Sequence, residues 1–203
     1  MRFMNKFIFA VVAAGGASSA FAATTATLQI TGRILPPACD ISTTMASLDL
    51  GNIEPDDNGR IPDLTAISAG TLNIACSAKT FVSVDVKGTM PVKVEPGVQY
   101  LGGWAQGNTT LSNMGVSARA VTYDGYAGRL IASGADGTWL KSTTIAADPS
   151  WKSTFAAVGS VLPVAVKNAS VEMELNVGGL DRPDFSKGDI TADQTLVFEV
   201  KYL

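Results

Sequence analysis

An all-β sandwich is the fold class this sequence predicts, and three observations carry the prediction. Apolar and polar residues alternate at period two in several short runs, most regularly near the two ends of the chain. Charged residues make up only 16 %, while Gly is frequent and Val, Thr and Ala abound, a composition suited to short, half-buried strands. No amphipathic helical stretch of useful length competes with those runs.

In chain order, residues 1–22 read as a secretory signal. Arg2 and Lys6 form the charged start, Phe7–Ala14 the short apolar core, and Ala20-Phe21-Ala22 the small residues a signal peptidase requires. The apolar run is too short for a membrane span, which needs roughly 20 residues. Removal of this segment leaves 181 residues with 13 basic against 18 acidic side chains, a net charge of −5. That length suits one domain, expected over residues 38–203. The acidic balance and the lack of basic clusters argue against nucleic acid and anionic membrane as partners.

Residues 23–37 form the most regular stretch. Leu28, Ile30, Gly32 and Ile34 fall at every second position, with Thr27, Gln29, Thr31 and Arg33 between them. This is the period of a strand with one dry face and one wet face. Pro36-Pro37 cuts it off from the rest. A terminal strand so isolated is read as pairing with another molecule's sheet; the alternative is a first strand folded into its own domain.

Cys39 and Cys76 are the two cysteines, and an even pair in an exported chain points to a disulfide, with two free buried thiols as the alternative. Ser47–Gly51 reads as a short strand through Leu48 and Leu50. Glu54-Pro55-Asp56-Asp57-Asn58-Gly59 is a turn by composition. Glu54, Asp56, Asn58 and Gly59 match part of a calcium-loop spacing, but Thr65 stands where the bidentate Glu is needed, so a solvated turn is expected. Leu72, Ile74 and Cys76 alternate in one run and Val82, Val84 and Val86 in the next, which are taken as neighbours in a sheet.

Between residues 89 and 160 the pattern is weaker. Gly102-Gly103, Asp124-Gly125 and Asp136-Gly137 mark turns, and Val116–Ala120 and Gly128–Ser133 mark strands. Tyr100, Trp104, Trp139 and Trp151 offer a sugar-binding face, although packing is the more ordinary use of such residues. Toward the end, Val171, Met173, Leu175 and Val177 alternate with Glu172 and Glu174, read as a wet strand face and not a catalytic pair. Leu196, Phe198, Val200 and Tyr202 then alternate up to Leu203.

The chain has no histidine, which removes Ser-His-Asp catalysis, histidine-ligated metals and the commonest general base. No Gly-rich phosphate loop follows a strand. No catalytic, cofactor-binding or metal-binding residues are assigned, and a non-enzyme is expected.

Taken together, the N-terminal run Thr27–Leu35, Cys39 just after it, Cys76 in a later strand, and Thr195–Leu203 with its penultimate tyrosine resemble the subunits of chaperone–usher pili, the fimbrial proteins of Gram-negative bacteria. The resemblance covers roughly residues 20–88 and 170–203; the middle matches poorly, and the expected mature chain is long for a major pilin. It implies an incomplete immunoglobulin-like β-sandwich lacking its last strand, with residues 23–37 as an N-terminal donor-strand extension. Leu28, Ile30, Gly32 and Ile34 would be the donor residues, and Leu196, Phe198, Val200, Tyr202 and Leu203 the strand that meets the chaperone and edges the groove. Cys39 and Cys76 match the family's usual disulfide. The implied partners are neighbouring pilus subunits, a periplasmic chaperone and an outer-membrane usher. The implied location is a fimbrium at the cell surface, reached through the periplasm, and the implied role is surface adhesion. The donor extension and single-domain length weigh against a two-domain tip adhesin. A monomeric secreted or periplasmic carbohydrate-binding sandwich is the rival from another class.

Overall fold

A computed structural model describes residues 38–90, 94–95 and 98–203. The expected donor extension, with Leu28, Ile30, Gly32 and Ile34, and the expected signal segment lie outside the described residues. Nine strands build the fold: β1 (Cys39–Thr43), β2 (Leu64–Thr80), β3 (Val82–Gly88), β4 (Asn113–Tyr123), β5 (Tyr126–Ser133), β6 (Trp139–Ser142), β7 (Lys152–Ala157), β8 (Val166–Val177) and β9 (Leu196–Tyr202). Short two-residue pairs decorate them, and the one helical turn among the described residues, Phe185–Lys187, is a 3-10 turn. Among the described residues, no helix is long and apolar enough to cross a membrane.

The chain is all-β. One antiparallel sheet runs in the order β1-β2-β8-β4-β5-β7-β3-β9, with β6 added beside β5. It folds over on itself so that the inward residues of both halves form one apolar cluster, from Leu72 and Ile74 on β2 to Phe155 on β7 and Val82, Val84 and Val86 on β3. The alternation read from β8 matches its burial: Val171, Met173, Leu175 and Val177 are buried, while Glu172 is exposed. Burial of each such aliphatic side chain stabilises by about 1.5–3 kcal/mol.

The fold closes at β1 and β9. These strands stand at the two ends of the strand order yet come near one another, and no ladder joins them among the described residues. Cys39 lies directly opposite Cys76 in the β1–β2 ladder and is bonded to it, which pins β1 to the sheet on its inner side. Past β1 the chain is pressed onto Gly70, whose φ is +77° and where a Cβ would stand 2.7 Å from that of Met45. Only glycine tolerates both the backbone and the closeness.

The two ends of the sandwich differ. At one, the tight end, the connections are Phe81 alone between β2 and β3, Asp124-Gly125 between β4 and β5, and residues 158–165 between β7 and β8. Asp124 (φ 47°) and Gly125 (φ 84°) form a two-residue hairpin turn with both φ positive, as an Asp-Gly pair favours. At the opposite, loop end lie the long connections 44–63, 89–112, 134–151 and 178–195.

Three expectations need correcting. Ser47–Gly51 joins no ladder among the described residues; Gly51 sits at φ +67° with its N–H on Asp49 Oδ1 at 2.8 Å, a local turn in place of a strand. β2 and β3 are not neighbours: at Phe81 the chain crosses between the two halves of the sheet, and β8, β4, β5 and β7 separate the two strands in the order. Gly102-Gly103 is not a turn but a close approach of two segments of the chain. A Cβ on Gly103 would meet Ser112 Oγ at 2.7 Å and the Asn113 carbonyl oxygen at 2.8 Å.

Candidate functional site

An apolar groove of about 370 Å³ opens between β1 with its continuation and β9. One wall is Met45–Leu50, the stretch without a ladder partner, and the other is Gln194–Leu196 with Phe198. The floor is core: Met114 and Val116 from β4, Met173 and Leu175 from β8. These four reach the groove because β4 and β8 pair with Met114 opposite Val177 and Val116 opposite Leu175, so their inward residues fall side by side.

The walls carry the chemistry. Among the described residues, β1 is hydrogen-bonded along one side, to β2, and β9 along one side, to β3. Sheet edges of this kind offer backbone donors and acceptors in a row, and they invite a further strand. An apolar floor beside the β9 edge suits an extended segment that alternates apolar and polar residues, backbone bonds supplying affinity and the floor supplying selectivity.

β9 is fixed by charge on its outer face and by packing on its inner face. Leu196, Phe198 and Val200 pack against the core cluster. Lys201 Nζ pairs with Asp85 on β3, whose side chain is 7 % exposed. Glu199 Oε1 accepts from Lys87 Nζ at 2.7 Å. The hydrogen bond to Asp85 raises the Lys201 pKa, helped by the carboxylate's charge and by Glu199. The Lys87 hydrogen bond lowers that of Glu199, with the charges of Lys87 and Lys201 in support.

Of the sequence-predicted site residues, the structure brings Leu196 and Phe198 to the groove. Val200 sits farther along the same inner face, and Tyr202 and Leu203 are exposed at the tight end. Cys39 and Cys76 form the expected disulfide. Sequence reasoning missed Met45, Met114, Met173 and Gln194; their positions in the chain are far apart, and no local pattern ties them together.

The remaining candidates serve local structure. Asp56 Oδ1 accepts the backbone N–H groups of Asn58 at 2.9 Å and Arg60 at 2.9 Å, and the Arg60 bond leads in lowering its pKa. That carboxylate caps its turn. Glu174 faces Arg119 Nε at 3.8 Å. Trp151 lies over Gly134, 3.3 Å from where a Cβ would be. Trp104 is buried, and its indole N–H finds no partner among the described residues. It lines a second pocket of about 360 Å³ at the loop end, which shares Leu48, Leu50 and Ala192 with the groove and carries the exposed ring of Phe185 on its rim.

No protein-family model matches this chain, and the curated proteins contain no match to it.

Proposed function

We propose that this chain is a structural fimbrial subunit that polymerises by donor-strand exchange. Residues 23–37 of one copy fill the groove of the next, after a periplasmic chaperone has held that groove and delivered the subunit to an outer-membrane usher. The resulting fibre supports surface adhesion. A groove floored by core side chains and walled by β9 on one side and by the Met45–Leu50 continuation of β1 on the other, β9 having a ladder on one side only among the described residues, is the observation that carries the reading.

The strand order supports it. An immunoglobulin-like sandwich arranges strands A-B-E-D in one sheet and C-F-G in the other. On that reading β1-β2-β8-β4 would take the places of A-B-E-D and β3-β9 those of C-F, with β5 and β7 joining the two groups into one sheet. The place of G, beside β9, is where the groove opens. Leu28, Ile30 and Ile34 would each contribute about 1.5–3 kcal/mol on burial there, and each added backbone bond a net 0.5–1.5 kcal/mol, roughly. Gly32 has no side chain to bury, and the resemblance implies a shallow place for it on the floor, where the incoming strand would begin to displace the chaperone.

The experiment is a split readout on Gly32→Leu. The variant chain is expected to be exported and to bind the chaperone, yet to form no polymer, because overpacking at a shallow site costs about 1–3 kcal/mol. A peptide of Ala23–Pro36 binds the subunit, and its Gly32→Leu form does not. A Gly32→Leu chain that misfolds as a monomer would place the strand in its own sheet and favour a self-complete, monomeric sandwich.

A further inference from the structure

The tight end of the sandwich exposes a set of large apolar side chains: Phe81, Tyr126, Val158, Val161, Leu162 and Leu203. Their common location follows from the ladders. Ala157 stands opposite Gly128, Val166 opposite Thr80, and Tyr202 opposite Val82, while Leu203 N–H donates to the Phe81 carbonyl at 3.1 Å. Val158 is 69 % exposed and Leu162 72 %, in a connection where polar turn residues would cost nothing. The loop is held in shape. Ser160 N–H donates to the Ala157 carbonyl, Leu162 N–H to Ser160 Oγ, and Val164 N–H to the Phe155 carbonyl, each at 3.0 Å. A fixed loop that presents three aliphatic side chains to water marks a contact surface.

We infer that this end is the face by which one copy of the chain seats against the loop end of the next copy in the fibre. The inference rests on the donor-strand reading above. The preceding 37 residues join the described domain at this same end, where the Ala38 carbonyl accepts from Ser77 N–H at 2.8 Å. With residues up to Leu35 in a neighbour's groove, only Pro36 and Pro37 separate that strand from Ala38. Three residue steps reach at most about 10 Å, and prolines hold them stiff. The tight end therefore has to lie against the neighbour. Taken as antiparallel to β9, the donated strand brings its C-terminal end to the loop end, and there the pocket lined by Leu48, Ile53, Trp104 and Phe185 continues the groove. The Val158–Leu162 loop seats at that pocket. Unlike surfaces then meet, and such a contact propagates as a filament instead of closing as a dimer.

Two variants of the full chain test this. The first is Val158→Asp with Leu162→Asp, two exposed positions where charge leaves the core untouched. It is expected to bind the Ala23–Pro36 peptide as the parent does, yet to give polymer yields about tenfold lower by light scattering and electron microscopy. The second, Leu162→Cys with Phe185→Cys in one chain, is expected to produce a ladder of covalent multimers under oxidation. Parent-level polymer from the aspartate variant, or Leu162→Cys alone cross-linking to itself as a closed dimer, overturns the inference. Failure of the parent itself to bind the peptide is a different result, and it overturns the donor-strand reading.

Discussion

Lys201, exposed along half its side chain, reaches across the β3–β9 ladder to the carboxylate of Asp85, which is buried. Asp85 Oδ1 has no hydrogen-bond partner among the described residues, so Lys201 carries the pairing of that carboxylate through Oδ2. A strand at the edge of the groove is thus tied down by a charge pair beneath its outer face.

Lys201→Met is expected to destabilise the chain by about 1–3 kcal/mol, the cost of leaving a buried charged acceptor unpaired. Lys87→Met, which removes a solvent-facing pair with Glu199, is expected to cost much less, because water screens such a pair. Urea unfolding of the two variants gives the comparison. The pair also sets a pH dependence. Because the Lys201 pKa is raised above the ordinary 10.5, its contribution is whole below that value and is lost as pH climbs through the folded pKa. The stability gap between the parent and Lys201→Met therefore narrows in strong alkali; a gap that stays constant would show that the pair contributes nothing.

The disulfide closes a loop with a sequence separation of 37, for which chain entropy gives about 4 kcal/mol of stabilisation. Replacing both cysteines by Ala is expected to lower unfolding stability by an amount of that order and to loosen β1 first. Digestion without reduction, followed by mass spectrometry, should yield the Cys39 and Cys76 peptides joined.

At the tight end, Asp124 Oδ1 accepts Asn168 N–H at 2.8 Å and Lys167 N–H at 2.9 Å, and Lys79 Nζ stands 3.1 Å from Oδ2. These contacts, the Asn168 bond foremost, hold the Asp124 pKa below the ordinary 3.8. Asp124→Ala should cost about 1–3 kcal/mol. A depressed carboxylate stabilises fully above its unfolded pKa and loses that contribution as pH falls through the folded one. The difference between parent and variant should accordingly shrink below pH 3.8. Asp136→Ala, at an exposed turn where Oδ1 accepts only Thr138 N–H, serves as the control, with a loss under about 1 kcal/mol.

Deleting Phe198–Leu203 removes most of β9 and takes Phe198 from the groove wall. Val84 and Val86 would then lose the strand opposite them. The truncated chain is expected to escape chaperone capture and to be degraded in the periplasm, read by immunoblot of cell fractions. Normal accumulation of the truncated chain would count against β9 as the chaperone-binding strand.

Faces were legible in the sequence; partners were not. The period-two runs of β8 and β3 put Val171–Val177 and Val82–Val86 on the inside, where the structure has them, and the cysteine pair marked β1 against β2. Asp124-Gly125 and Asp136-Gly137 are turns because their chemistry is local. The Leu48–Leu50 alternation says only that one side is apolar, and the structure gives that stretch no ladder. Adjacency in sequence misplaced β3 beside β2 because the crossing at Phe81 takes a single residue and leaves no composition signal. The groove was illegible for a related reason: its floor and walls are drawn from Met45, Met114, Met173 and Phe198, which only the sheet order brings together.

β3 has a consequence for how the chain comes to be folded. Its core residues are buried, but its ladder to β7 is a single pair, Ser153 with Val84, and its full-length partner is β9. Roughly a hundred residues of chain separate Gly88 from Leu196. During vectorial synthesis β3 therefore waits, its edge open, until nearly every other strand has emerged. Long-range pairing of this kind slows folding and prolongs the exposure of sticky intermediates. The vulnerable period of this molecule is set by the arrival time of seven residues, and anything that shields β3 in the interval acts as a clock for the whole fold.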